Sequence, residues 1–168
     1  MNTLTRWARH LWLDADDARR TLTPGGLQRL EAAVRASEAR HLGELRLCVE
    51  GGLPAELLWQ GCTPRQRAID LFSQLRVWDT EHNNGVLIYL LLAERRIEIL
   101  ADRGLMQHVP DTVWQEMTQA LGTHLKAGRF EEGLRQAIER VGALMHVHYP
   151  LHRAQDNINE LPNAVVLL

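Results

Sequence analysis

Residues Val86 to Ala93 read Val-Leu-Ile-Tyr-Leu-Leu-Leu-Ala, eight apolar side chains without interruption. The run has strand length and is far too short to cross a bilayer as a helix, which takes about 20 residues. A strand that is apolar on both faces must be covered on both faces. It therefore belongs at the middle of a sheet with helices on either side.

The residues that follow alternate. Ile97, Ile99 and Ala101 point one way, and Arg96, Glu98, Leu100 and Asp102 the other, which makes a second strand. Glu94-Arg95 stands where a hairpin turn belongs, without the Asn-Gly pair that would fix its type. Upstream, Leu45, Leu47 and Val49 alternate with Glu44, Arg46, Cys48 and Glu50, and Gly51-Gly52 ends this first strand. Thr63-Pro64-Arg65-Gln66 is a capping box that opens a helix with Ala68, Ile69, Phe72 and Leu75 inward. Thr23-Pro24 opens an earlier helix with Leu27, Leu30 and Val34 inside, running to about His41. After Gly104 come two helices. Trp114, Met117, Leu121 and Leu125 mark the first, and Phe130, Leu134, Ile138, Val141 and Met145 the second, which Pro150 stops. Residues 3–20 read as one amphipathic helix with Leu4, Trp7, Leu11 and Trp12 near one face.

The expected order is α-α-β-α-β-β-α-α, a small mixed β-sheet sandwiched between α-helices. The helical crossover makes the first two strands parallel, and the third returns antiparallel. The expected organisation is an N-terminal helix at 1–22, an α/β domain at 23–150 and a tail at 151–168 packed on it.

Composition limits function more than fold. A formal net charge of −2 gives no bulk field toward nucleic acid or anionic lipid. Cys48 and Cys62 make no disulfide framework. Cys48 reads as a small core residue, and Cys62 precedes a helix start, where a thiol pKa can fall. No secretory signal and no transmembrane stretch is read, so the expected location is the cytoplasm, with peripheral attachment to a membrane if the N-terminal Trp/Arg helix acts as a handle. No Walker loop, dinucleotide fingerprint, nucleophile elbow or Cys/His zinc spacing is present. His146, His148 and His152 crowd the end of the last helix, where Pro150 spoils an i, i+4 pair, so they read as surface and dipole partners.

The topology gathers polar groups at one rim. Strands one and two start there and strand three ends there. That brings Glu44, Asn83-Asn84 and Asp102-Arg103 together, and a two-residue turn would set Leu87 opposite Asp102. The inner stripe of the helix before strand one continues to Glu38, with His41 one turn beyond. A carboxylate on an apolar stripe is costly unless it is paired or binds a cation. Glu38, Glu44, Asn84 and Asp102 are thus candidate ligands for Ca²⁺ or Mg²⁺, with Arg103, Asn83 and His41 in support and Asp79 or Glu81 nearby. The alternative is that Glu38 pairs with Arg103 or Arg40 and caps loop amides.

These residues also carry a resemblance. Asn84-Gly85-Val86-Leu87-Ile88-Tyr89, Ala101-Asp102-Arg103-Gly104, Trp114 and Gly128-Arg129-Phe130-Glu131-Glu132-Gly133-Leu134 fall in an order and spacing similar to the TPM domain. Ala36-Ser37-Glu38, Gly43-Glu44-Leu45-Arg46 and Asn159-Glu160-Leu161-Pro162 extend the match over most of the chain. The family is named for a thylakoid lumen protein, a photosystem II accessory protein and a nematode receptor modulator. This chain resembles its short, signal-less bacterial type. The resemblance implies an α/β sandwich, divalent-cation binding as in some members, and an acid-phosphatase activity as in a plant member. It further implies roles in assembly or repair of membrane complexes, with protein partners such as LemA-type or longer TPM proteins. The two expectations that follow are a cation-stabilised accessory module that docks on a membrane-associated partner, and a metal-dependent phosphatase. Most members are exported, with a signal peptide and often a C-terminal transmembrane helix, features not read here.

Overall fold

A computed structural model describes residues 3–151 and 159–168. Its elements in chain order are α1 (Thr3–Trp12), α2 (Ala15–Thr21), α3 (Pro24–Glu38), β1 (Leu45–Glu50), α4 (Ala55–Trp59), α5 (Pro64–Gln74), β2 (Val86–Leu91), β3 (Arg96–Ala101), α6 (Arg103–Met106), α7 (Asp111–Lys126), α8 (Phe130–His148) and β4 (Val166–Leu167). The four strands form one mixed sheet in the order β3-β2-β1-β4. As expected, β1 and β2 are parallel neighbours and β3 returns antiparallel to β2.

Alternation along each strand sorts its side chains to two separate cores. Leu45, Leu47 and Val49 of β1 join Val86, Ile88 and Leu90 of β2 on one face, under Ala18, Leu30, Val34, Met117 and Ile138 of α2, α3, α7 and α8. Cys48, Leu87, Tyr89 and Leu91 face the other way, against Leu58 of α4 and Ala68 and Leu71 of α5. Both central strands are buried along their whole length. The polar members of the second face are therefore neutralised locally. Glu50 accepts from Arg67 Nη2 at 2.7 Å and from the Tyr89 hydroxyl at 2.6 Å.

Several expectations change. Residues 3–20 are two helices, because Asp14 is an N-cap whose side chain accepts from the N–H groups of Asp16 and Asp17 while Asp17 returns a bond to the Asp14 N–H. The inward side of α1 is polar. His10 is buried, its Nδ1 accepting from Leu53 N–H at 2.9 Å and its Nε2 meeting Glu94 Oε1 at 3.0 Å. Trp7 packs partly on the second core, but Leu11 is 69% and Trp12 86% exposed, and the Leu4 side chain lies outside the described residues. On α5 the buried stripe is Arg67, Ala68 and Leu71, with Ile69 outside, because Arg67 follows Glu50 inward. Thr63 caps Gln66 N–H, but Gln66 turns to Asp70, so only half of the box forms.

The β2–β3 turn is Leu92–Arg95, closed by Arg95 N–H to Leu92 O, with Arg95 at φ +52°. Leu87 consequently faces Leu100, and Asp102 donates its N–H to Gly85 O at 2.8 Å. This slips the expected register by two residues and leaves every side chain on its expected face. The short helices α4 and α6 and the edge strand β4, parallel to β1, add to the expected order. Burial raises the Cys62 thiol, opposite to a helix-start effect, and pushes Cys48 up to about 12.

Candidate functional site

The sheet rim where β1 and β2 begin and β3 ends is built from three loops and the C-terminal segment. Asn84 and Asp102 share this end, as the topology requires. The path is tight. Asn83 adopts φ +51°, a left-handed conformation that Asn tolerates. Gly104 must be glycine, because a Cβ there would lie 2.5 Å from Asn83 O and 2.6 Å from the Tyr149 hydroxyl.

Glu38 and Glu44 come together on one side of the rim. Glu38 Oε1 accepts from Leu45 N–H at 2.9 Å, and its Oε2 accepts from Asn163 Nδ2. Glu44 Oε1 accepts from Glu160 N–H at 3.1 Å and its Oε2 from Leu161 N–H at 3.2 Å. Burial pushes Glu38 up to about 8, and the adjacent Glu44 charge adds to that, against the Leu45 N–H, Asn163 and Arg46. Burial pushes Glu44 up to about 7, against the Glu160 and Leu161 N–H groups. Arg46, a residue the sequence did not flag, stands beside both carboxylates and donates from Nη1 to Pro162 O. These two glutamates therefore cap strand and tail amides; neither bonds Arg103 or Arg40.

His41 is fully buried. It donates from Nδ1 to Gly43 O at 3.1 Å and takes the Ser37 hydroxyl at Nε2 at 3.0 Å. Burial brings its pKa down to about 4, so the ring is neutral near pH 7 and Nε2 accepts from the Ser37 hydroxyl.

Asn84 lies just before β2 and Asp102 just after β3, at the same end of these two neighbouring strands. Asn84 is fully buried; its N–H reaches Thr80 Oγ1 at 3.1 Å and its Nδ2 reaches Leu42 O at 3.0 Å. Asp102 caps α6, its Oδ1 accepting from Arg103 N–H at 2.7 Å. The remaining oxygen of each, Asn84 Oδ1 and Asp102 Oδ2, is buried with no hydrogen-bond partner among the described residues. Buried oxygens left this way cost about 1–3 kcal/mol each. Arg103 donates from Nε and Nη2 to Asn83 Oδ1 at 3.1 and 2.7 Å. Asp79 pairs with Arg76, and the Glu81 N–H is held by Glu160.

Aromatic and imidazole rings crowd next to Asp102. His82 stacks on Tyr149 at 6.3 Å, and His108 stacks on His148 at 5.2 Å and meets Tyr149 edge-on at 6.4 Å. Burial, then the Asp102 charge, raises the Tyr149 hydroxyl. His82 and His108 lie far from His148 in sequence, so only the fold makes this group. His146 bonds Arg40 O at 2.8 Å, and His152 lies outside the described residues.

Among the described residues, no group of three or more His, Cys, Asp or Glu side chains is arranged to hold a metal ion. At the rim, the oxygens with no hydrogen-bond partner among the described residues are one of the Asp102 carboxylate and that of the Asn84 amide. Hard oxygens of this kind suit Ca²⁺ or Mg²⁺, which also accept water and backbone carbonyls.

A TPM domain family model matches residues 15–144. The fold is similar to the NMR structure of the BA42 protein of the psychrophilic bacterium Bizionia argentinensis, with 30% identity over 86% of this chain and 94% of that one, at a TM-score of 0.75. It is also similar to the N-terminal domain of a P. gingivalis protein, with 22% identity over 79% of this chain and 83% of that one and a TM-score of 0.58, a likeness of fold alone. No curated protein matches. Among the described residues, no helix is long and apolar enough to cross a membrane.

Proposed function

This chain belongs to the TPM domain family, and we propose that it serves as a divalent-cation-binding accessory module with its cation site on the rim between Asn84 and Asp102. The observation that supports this reading is the pair of buried, partnerless oxygens, Asn84 Oδ1 and Asp102 Oδ2. A bound Ca²⁺ or Mg²⁺ would satisfy both and neutralise the Asp102 charge. Glu38 and Glu44 serve the site indirectly in this reading, by fixing the start of β1 and the tail around it. The role in assembly or repair of membrane complexes, a LemA-type or longer TPM partner, and a cytoplasmic place peripheral to the membrane come with the family resemblance.

The reading is tested by melting the protein with and without millimolar Ca²⁺ or Mg²⁺. A ligand that binds only the folded state raises the melting temperature by mass action, and Asp102→Asn should abolish the gain. An unchanged melting curve for the wild type would refute the cation site.

A second reading, phosphoester hydrolysis, is favoured by the side chains around Asp102. The Arg103 guanidinium, held by Asn83, would meet phosphoryl charge, and His82 or His108 would carry a proton to the leaving oxygen. A bound cation would supply Lewis-acid polarisation of the phosphoryl group. Loss of phosphoester turnover in both Arg103→Ala and His108→Ala would support it. Absence of turnover in the wild type would leave the accessory module alone.

A further inference from the structure

A groove of about 700 Å³ runs along the outer edge of β3, between Trp114 and Thr118 of α7 on one side and Arg65 of α5 on the other. The sheet order leaves β3 at an edge. The bond from Asp102 N–H to Gly85 O fixes the parity of the ladder. Arg96, Glu98 and Leu100 turn their main-chain groups toward β2, so Ile97, Ile99 and Ala101 turn theirs outward into the groove. Among the described residues no other main chain pairs with these outward groups. Native proteins usually blunt such an edge with lysine, proline or a bulge. Here Ile97, Ile99 and Ala101 present none of these.

Three further features indicate what fits. The outward N–H and C=O groups repeat every second residue, and an extended main chain offers the matching repeat. The edge lies between α5 and α7, whose Arg65 and Trp114 line the groove on either side. Trp114 is only 8% exposed, lines the groove, and has its Nε1–H buried with no hydrogen-bond partner among the described residues. Charge gives a direction. Gly122 of α7 stands against Ile97, which places the other end of α7 and its exposed Asp111 by Ala101.

We propose that the β3 edge is a peptide-binding site, which takes an extended segment of a partner protein as a fifth strand, with apolar side chains at alternate positions and a basic residue beside Asp111. The inference stands apart from the cation reading, although Ala101 brings the groove to within one residue of Asp102.

The test starts from a random peptide library displayed on phage and selected against the full-length protein. The tightest peptide is then synthesised and followed by NMR. The expected result is slowed hydrogen exchange at the Ile97, Ile99 and Ala101 amides and a shifted Trp114 Nε1–H signal. N-methylation of alternate peptide amides that face β3 should weaken binding by about tenfold per bond lost, and Trp114→Phe should weaken it while leaving the fold intact. Ile99→Pro removes an outward N–H without touching the ladder and should abolish binding. If that variant does not fold, the N-methylated peptides test the same bonds from the ligand side. The proposal is overturned if selection returns no binder, if the signals move elsewhere, if N-methylation has no effect, or if concentration-dependent protection of β3 without peptide shows a second copy on the edge.

Discussion

The Tyr89 hydroxyl lies 2.6 Å from Glu50 Oε2, and both side chains are buried beneath α5, where Arg67 completes a three-membered network. Glu50 and Arg67 form a buried ion pair, so removing one partner strands a charge and should cost about 3–5 kcal/mol. Removing the Tyr89 hydroxyl strands only one lone pair and should cost about 1–2 kcal/mol. Urea unfolding of Glu50→Gln and Tyr89→Phe tests this order. A larger loss for Tyr89→Phe would contradict the assignment of Glu50 as the centre of the network.

Stability should fall as pH rises from about 6.5 to 8. Glu38 and Glu44 have folded pKa values raised to about 8 and about 7. Their contribution is full below the unfolded value near 4.5 and is lost as pH climbs through the folded values. His41 has the opposite sense: its folded pKa is depressed to about 4, so its contribution is full above about 6.5 and is lost on acidification. The slope above 6.5 thus reports the carboxylates. Glu38→Gln should flatten it in chemical denaturation at stepped pH, and an equally steep slope in that variant would rule Glu38 out as its source.

The α1–α2 link rests directly on Gly51 and Gly52. A Cβ at Gly51 would lie 2.1 Å from Asp14 O, and one at Gly52 2.5 Å from His10 O. Gly51→Ala should therefore lift the N-terminal helices and cost about 2 kcal/mol or more. Amide exchange should speed up at Leu53, whose N–H reaches His10. Unchanged stability and exchange would mean that α1 is not seated there.

Both thiols are buried, and burial pushes both pKa values up, Cys48 to about 12. Neither should react with a disulfide reagent in the native protein at pH 8, and both should react in urea. Prompt reaction of one thiol under native conditions would show that the start of α5 is open at Cys62.

Local chemistry was legible in the sequence. The Val86–Ala93 run gave a strand buried on both faces, Thr23 and Thr63 marked helix starts, and the crossover gave parallel β1 and β2. With the topology, these were enough to place Asn84 and Asp102 at one rim and to put Glu38 inside. Periodicity, caps and crossovers depend on neighbours within a turn or two, so a sequence displays them directly. The register, β4 and the state of each carboxylate depend on distant pairings. The slip by two residues came from a turn whose residues carried no strong signal. Strand β4 is two residues long and exists only because β1 offers it an edge. Glu44 is held by amides 116 and 117 positions away, and the ring cluster at Tyr149 draws on three separate segments. Which oxygens stay partnerless depends on every such bond, so only the tertiary structure leaves Asn84 Oδ1 and Asp102 Oδ2 without a hydrogen-bond partner among the described residues.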